Sequence, residues 1–183
     1  CIRDRVNPYR CEVAYNDYEV VVEALDQEQL HSIKAWLDMP CVLYPQKKKY
    51  VELIEEEVIK YLEEHGLEYK NYGTYSTDSC DYPDYAKKVA EAILAGECEK
   101  GILICGTGIG ISITANKFKG IRAALCSDCF SAEATRLHND ANILAMGGRV
   151  VGPGLALKIV DTFLDTPFSG DERHIRRINM IED

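Results

Sequence analysis

The chain has 183 residues, 46% of them hydrophobic and 28% charged, which suffices for one globular domain with a real core plus an extra segment and excludes a disordered or fibrous chain. Its formal charge of −9 argues against a general nucleic-acid surface, because phosphate backbones are bound by basic patches and the only tight basic run is Lys47-Lys48-Lys49. No apolar stretch reaches bilayer length and the first residues do not read as a targeting signal, so the expectation is a cytoplasmic protein with no membrane partner.

Eight cysteines without a secretory signal, several inside apolar runs, are expected as free thiols. Cys126 and Cys129 form one C-x-x-C, but a structural zinc site would need a second such pair or histidines at ligand spacing, and no metal is expected.

In chain order, Cys1 to Arg10 has no periodicity and the chain does not begin with methionine, so residues 1–40 are expected to be an atypical, foreign or poorly ordered extension. Within it, "YEVVVEAL" reads as a strand and "DQEQLHSIKAWL" as a helix. The remaining residues, 41–183, form the main domain. "PCVLYP", Pro40 to Pro45, is the natural first strand of its sheet, although prolines at both ends are unusual there. "YVELIEEEVIKYLEEHG" is an amphipathic helix with Val51, Ile54, Val58, Ile59 and Leu62 on one face and Gly66 past its end.

Next comes "LEYKNYG", read as a strand, then a loop, "TYSTDSCDYPDY", and a helix, "YAKKVAEAILAG". Gly101 to Ile104 reads as a buried strand ending in Cys105, with a helix opening near Ile109. "GIRAALCS" gives a strand, "SAEATRLHND" a helix, "ANILAMGG" a strand, and "GPGLALKIVDTFLDT" a helix with Pro153 near its start. Residues 170–183 are expected to close the chain with a last helix. Such alternation predicts an α/β fold with a doubly wound parallel sheet.

The chemistry concentrates in "ILICGTGIGISITANK". Ligands of open parallel sheets sit beyond the strands' carboxyl ends, and a glycine turn there exposes backbone N–H groups able to cradle an anion. Three alternate glycines, Gly106, Gly108 and Gly110, exceed what a tight turn needs. A dinucleotide fingerprint fails because its last position falls on Ile111 or Ile113. A phosphate-binding Walker loop fails for lack of Gly-Lys-Ser/Thr, and a cysteine phosphatase loop for lack of an arginine before Arg122.

What remains is a thiol near a helix amino terminus, where a lowered pKa makes a nucleophile or general base. Beside it, N–H donors with the Thr107 and Ser112 hydroxyls could stabilise an oxyanion. Proton abstraction through an enediolate and acyl transfer both fit that set. His138 and Asn139 fall in a turn before a strand, Arg149 follows the last strand, and Arg173 and Arg177 share a helix face at i, i+4; together these suggest a phosphorylated substrate.

"DYPDYA", "GILICGTGIGISITANK", "GIRAALC", "RLHNDANILAMGGRVVG" and "ERHIRRI" follow in an order and spacing that resembles the family of type-B ribose-5-phosphate isomerases and galactose-6-phosphate isomerase subunits, from about Tyr50 to Ile181. The resemblance implies a Rossmann-like α/β/α sandwich, a homodimer, and interconversion of ribose 5-phosphate and ribulose 5-phosphate without metal or other cofactor. A cysteine at the head of the glycine turn favours the ribose enzyme, since the galactose-type subunits generally lack it.

Carried over by position, Cys105 resembles the base that moves the proton between C2 and C1, assisted by Thr107. The backbone of Gly106, Gly108, Ile109 and Gly110 resembles the nest for the enediolate oxygens. His138 matches the acid that opens the furanose ring. Asn139 and Tyr82 match substrate contacts, and Arg149, Arg173 and Arg177 match substrate and phosphate contacts, in a site that the family builds from both subunits.

One departure stands out. The family's first strand leads into an Asp-His-Ala-Gly turn, and the corresponding place here reads "QKKKYV", Gln46 to Val51, with Lys48 and Lys49 at the Asp-His positions. Lysine can pair with phosphate but cannot reproduce a carboxylate. An active isomerase and a sugar-phosphate-binding protein with an incomplete site are therefore both open readings.

Overall fold

A computed structural model of the chain describes residues 13–16, 19–22, 49–74 and 80–183. The chain divides into two units, Cys1–Pro45 and Gln46–Asp183. In the first, β1 (Val13–Asn16) and β2 (Glu19–Val22) form an antiparallel pair, with Val13 opposite Val22 and Asn16 opposite Glu19. The expected strand at Pro40 to Pro45 and helix at Asp26 to Leu37 lie outside the described residues.

The second unit runs α1 (Lys49–Glu64), α2 (Tyr82–Leu94), β3 (Gly101–Cys105), α3 (Ile109–Ala115), β4 (Ala123–Leu125), α4 (Cys129–Asn139), β5 (Ile143–Gly147), α5 (Pro153–Asp165) and α6 (Glu172–Glu182). Its described strands form one parallel sheet in the order β3-β5-β4, with Cys105 level with Gly147 and Leu125 level with Ala145.

The central strand, β5, explains the layering. Its five residues, "ILAMG", are all buried, as a strand covered on both faces must be. Leu144 and Met146 point into one core with Ile54 and Val58 of α1, Ala132 of α4, and Ile159, Val160 and Phe163 of α5. Ile143 and Ala145 point the other way, into a core with Ala86 and Ala90 of α2, Ile111 and Ala115 of α3, and Leu103 of β3. The strand's twofold alternation thus feeds two hydrophobic layers, giving the expected three-layer α/β/α sandwich.

Three local readings change. Leu67 to Tyr72 forms no strand; it is tied by side chains instead, with Tyr69 donating to Glu63 at 2.8 Å and both Lys70 and Tyr72 donating to Glu97 at 2.7 and 3.0 Å. Helix α2 begins at Tyr82, inside the expected loop, because Pro83 fits the first turn, where its missing N–H costs nothing. The aspartate at 128 caps α4 by accepting from Ser131 N at 2.8 Å, so that helix starts at Cys129 and not at Ser131.

Phe163 is fully buried at the centre of the first core. Phe163→Ala is expected to lower the unfolding free energy by about 3–5 kcal/mol, read from the urea midpoint at unchanged slope.

Candidate active site

Strand β3 delivers Cys105 to the sheet's carboxyl edge, and the glycine turn begins at the next residue. Gly108 caps α3 in the left-handed region, φ 77°, and turns its N–H onto the sulfur: Gly108 N donates to Cys105 Sγ at 3.2 Å. A Cβ at Gly108 would lie 2.8 Å from the Met146 carbonyl carbon, so glycine is required by conformation and by space.

The turn after β5 locks against this one. Gly148 N donates to Cys105 O at 2.8 Å and Arg149 N to Gly106 O at 3.1 Å. A Cβ at Gly147 would come within 2.7 Å of the Thr107 carbonyl, and only glycine lets the two turns approach so closely. Arg149 lays its guanidinium along Gly106, and Tyr82, from the first turn of α2, covers Gly110 with its phenol. Thr107, Ile109, Tyr82 and Arg149 are exposed around a half-buried Cys105, forming an open mouth over backbone amides. Ser112 is buried and donates its hydroxyl proton to Ile109 O at 2.8 Å, so that proton serves the helix and not the mouth.

The other candidates gather elsewhere. His138 and Asn139 occupy the last turn of α4, not a turn after it, because Asp140 closes the helix from the left-handed region at φ 45°, ψ 46°. Here Arg122, just before β4, donates through Nε to Asn139 O at 2.9 Å, and Ile143 N donates to Arg122 O at 3.3 Å. This corner therefore lies at the amino edge of the sheet. A five-residue strand spans roughly 15 Å, so within one chain Cys105 and His138 sit at opposite ends.

Helix α6 joins the amino-edge group. His174 is buried, its Nδ1 is 2.8 Å from Ser169 Oγ, and its ring lies 4.5 Å from that of His138. Arg173 and Arg177 stay exposed on the same helix, with Arg173 Nε 3.5 Å from Asp171. A depression of about 620 Å³ has Phe118, Arg122, Asn139, Ile181 and Glu182 in its wall; it belongs to the amino edge and not to the Cys105 mouth.

The family model described as Ribose/Galactose Isomerase matches residues 49–181. The chain belongs to that family of isomerases. Ribose-5-phosphate isomerase B of Escherichia coli (strain K12) is 50% identical over 129 residues, covering 70% of this chain and 86% of that protein. Among solved structures, the Clostridium thermocellum ribose-5-phosphate isomerase B matches at TM-score 0.70 and 52% identity, over 72% of this chain and 88% of that one. A Thermotoga maritima ribose 5-phosphate isomerase matches at TM-score 0.70 and 53% identity, over 73% and 91%. Members of the ribose/galactose isomerase family thus share this chain's second unit, and the match begins at α1. Among the described residues no helix is long and apolar enough to cross a membrane.

Reading the residues singly missed the groups behind the site. His174 lies inside the quoted "ERHIRRI" and Asp140 inside "HND", but neither motif reveals that one is buried against His138 or that the other closes α4. Arg122 and Arg136 carried no signal, since their partners are distant in sequence.

Two outcomes follow from this geometry. Gly108→Ala is expected to cost at least about 1–2 kcal/mol through the forced left-handed conformation, with a lowered melting temperature as the readout. Burial first, then Arg173 and His138, hold the His174 imidazole below its ordinary value of 6.5, against the pull of Asp171. The unfolded chain therefore takes up this proton first as pH falls, so the His174 contribution is complete above pH 6.5 and shrinks from there down to the depressed folded value. Denaturation midpoints from pH 7.5 to 5.5 are expected to fall less steeply in His174→Asn; parallel profiles would refute the assignment.

Proposed function

We propose that the chain is an aldose–ketose isomerase interconverting D-ribose 5-phosphate and D-ribulose 5-phosphate through an enediolate, with no metal or other cofactor. The observation that carries this reading is the Cys105 sulfur at the sheet's carboxyl edge, receiving the Gly108 N–H at 3.2 Å in a mouth bounded by Tyr82 and Arg149.

In this mechanism His138 protonates the ring oxygen of the furanose as the C1–O4 bond breaks and the O1 hydroxyl gives up its proton to water, giving the open aldehyde. Cys105, as thiolate, takes the C2 proton; the C–H pair becomes the C1–C2 double bond, and O1 gathers the negative charge. Backbone N–H groups from Gly106 to Gly110 face that charge, where preorganised donors act most strongly. Thr107, whose Oγ1 accepts from Ile109 N at 3.4 Å, assists in moving the proton of O1 and O2. Returning the proton to C1 yields the ketose. Arg149, Arg173 and Arg177 hold the phosphate, and Tyr82 and Asn139 line the sugar.

Because Cys105 and His138 sit at opposite ends of the sheet within one chain, a working site takes His138, Asn139, Arg173 and Arg177 from a second copy. The assembly is then a homodimer with two shared sites, whose twofold symmetry lets each copy give both sets of groups.

One observation favours the binding-only reading. A Cβ at Gly148 would lie 2.9 Å from Val51 Cα, so the start of α1 borders the mouth, and Lys48 and Lys49, just before Val51 in sequence, are the residues that replace the family's Asp-His pair. Ribose 5-phosphate binding without ribulose 5-phosphate formation would support this second reading.

The first test is an isomerase assay of the full chain. Cys105→Ala and His138→Ala are each expected to reduce turnover by at least about a hundredfold. Mixed and re-equilibrated, the two variants are expected to recover about a quarter of the unaltered activity, since half the dimers are mixed and each has one intact site. A mixture as silent as its parts would rule out the shared site.

A further inference from the structure

We propose that Arg122 is a positioning residue that fixes His138 for ring opening, working through the backbone turn that ends α4. The inference rests on the role proposed above for His138. Its own warrant is the way the turn is held.

The last carbonyls of a helix have no partner within the helix. At the end of α4 one guanidinium takes two of them, with Arg122 Nε 2.9 Å from Asn139 O and 3.1 Å from Asp140 O. Its other nitrogens reach carboxylates: Nη1 donates to Glu182 Oε1 at 2.8 Å, and Nη2 to Asp140 Oδ2 at 3.3 Å. Glu182, the last residue of α6, also accepts from Gly120 N at 2.8 Å. Arg122 is thereby fixed between the chain's last helix and the turn before β4.

A second arginine grips the same turn from behind. The Nη1 of Arg136 donates to Asp140 Oδ1 at 2.8 Å and Ala141 O at 2.6 Å, and its Nε donates to Thr166 O at 3.2 Å. Asp140, caught between both, is the one non-glycine at positive φ among the described residues. Glycine would end the helix there without steric cost. An aspartate held left-handed by two arginines instead gives a turn that cannot swing, because each carboxylate oxygen has its own guanidinium.

The side chains this turn carries outward are His138 and Asn139, both exposed. Their neighbour is equally fixed: the His174 ring, 4.5 Å from that of His138, is pinned by Ser169. A merely stabilising ion-pair network would do as well under any pair of exposed residues. Here it lies under the proposed ring-opening acid and its adjacent substrate contact, where small displacements cost rate steeply.

The test uses two substrates on the full chain. Ribose 5-phosphate closes to a furanose and needs the acid, whereas D-erythrose 4-phosphate has its C4 oxygen esterified and cannot close that ring. Arg122→Gln is expected to lower kcat on ribose 5-phosphate at least about tenfold while leaving kcat on erythrose 4-phosphate within about threefold. Should Arg122→Gln not fold, Arg122→Lys keeps the charge, loses the planar fork, and is expected to give the same split. Equal losses on both sugars, or none, from a variant with an unchanged unfolding transition would overturn the inference.

If the unaltered chain fails on both sugars, the isomerase reading falls by itself. Whenever either sugar is not turned over, histidine ring NMR decides the positioning inference. The His138 ring protons, displaced by the His174 ring current, are expected to lose that displacement in Arg122→Gln or Arg122→Lys; an unmoved resonance in the folded variant would overturn it.

Discussion

The in-register pairing of β3 with the wholly buried β5 is the constraint on which the rest depends. Setting Cys105 level with Gly147 brings two turns out of the sheet side by side, and their backbones then bond directly, Gly148 N to Cys105 O and Arg149 N to Gly106 O. A shift of one residue would move the sulfur to the opposite face and break both bonds. The amide over Cys105 and the guanidinium over Gly106 are consequences of strand register, itself fixed because both faces of β5 are packed into separate cores.

The same topology separates the chemistry. A parallel strand must be followed by a helix that returns to the other edge, so residues at the far end of α4 cannot lie beside the end of β3 in one chain. The site candidates of α4 and α6, His138, Asn139, Arg173 and Arg177, accordingly gather at the amino edge, where Arg122, Arg136, Asp140 and Glu182 tie the turn down. In the homodimer proposed above, a twofold axis would bring two such edges together, one interface creating two complete sites.

The desolvated arginines of this edge are better understood as geometry than as stability. A partly buried ion pair returns little net free energy once desolvation is counted, and Arg136 is itself buried. What the network does supply is a fixed direction for the carbonyls and side chains of one helical turn.

By itself, the sequence determined the alternation of elements from Tyr50 onward, the sandwich class, the glycine turn after Cys105 and the family, because hydrophobic period and turn chemistry are local properties. It misread Leu67 to Tyr72, whose residues favour a strand but are held by Glu63 and Glu97 instead, and the helix starts at Tyr82 and Cys129, which depend on a proline and a cap. Only the tertiary structure decided that Tyr82 and Arg149 meet the glycine turn while His138 faces away from it, and that Arg122 holds the end of α4. Those contacts join residues far apart in the chain, and the packing of β5 between two helical layers, not any local preference, brings them together.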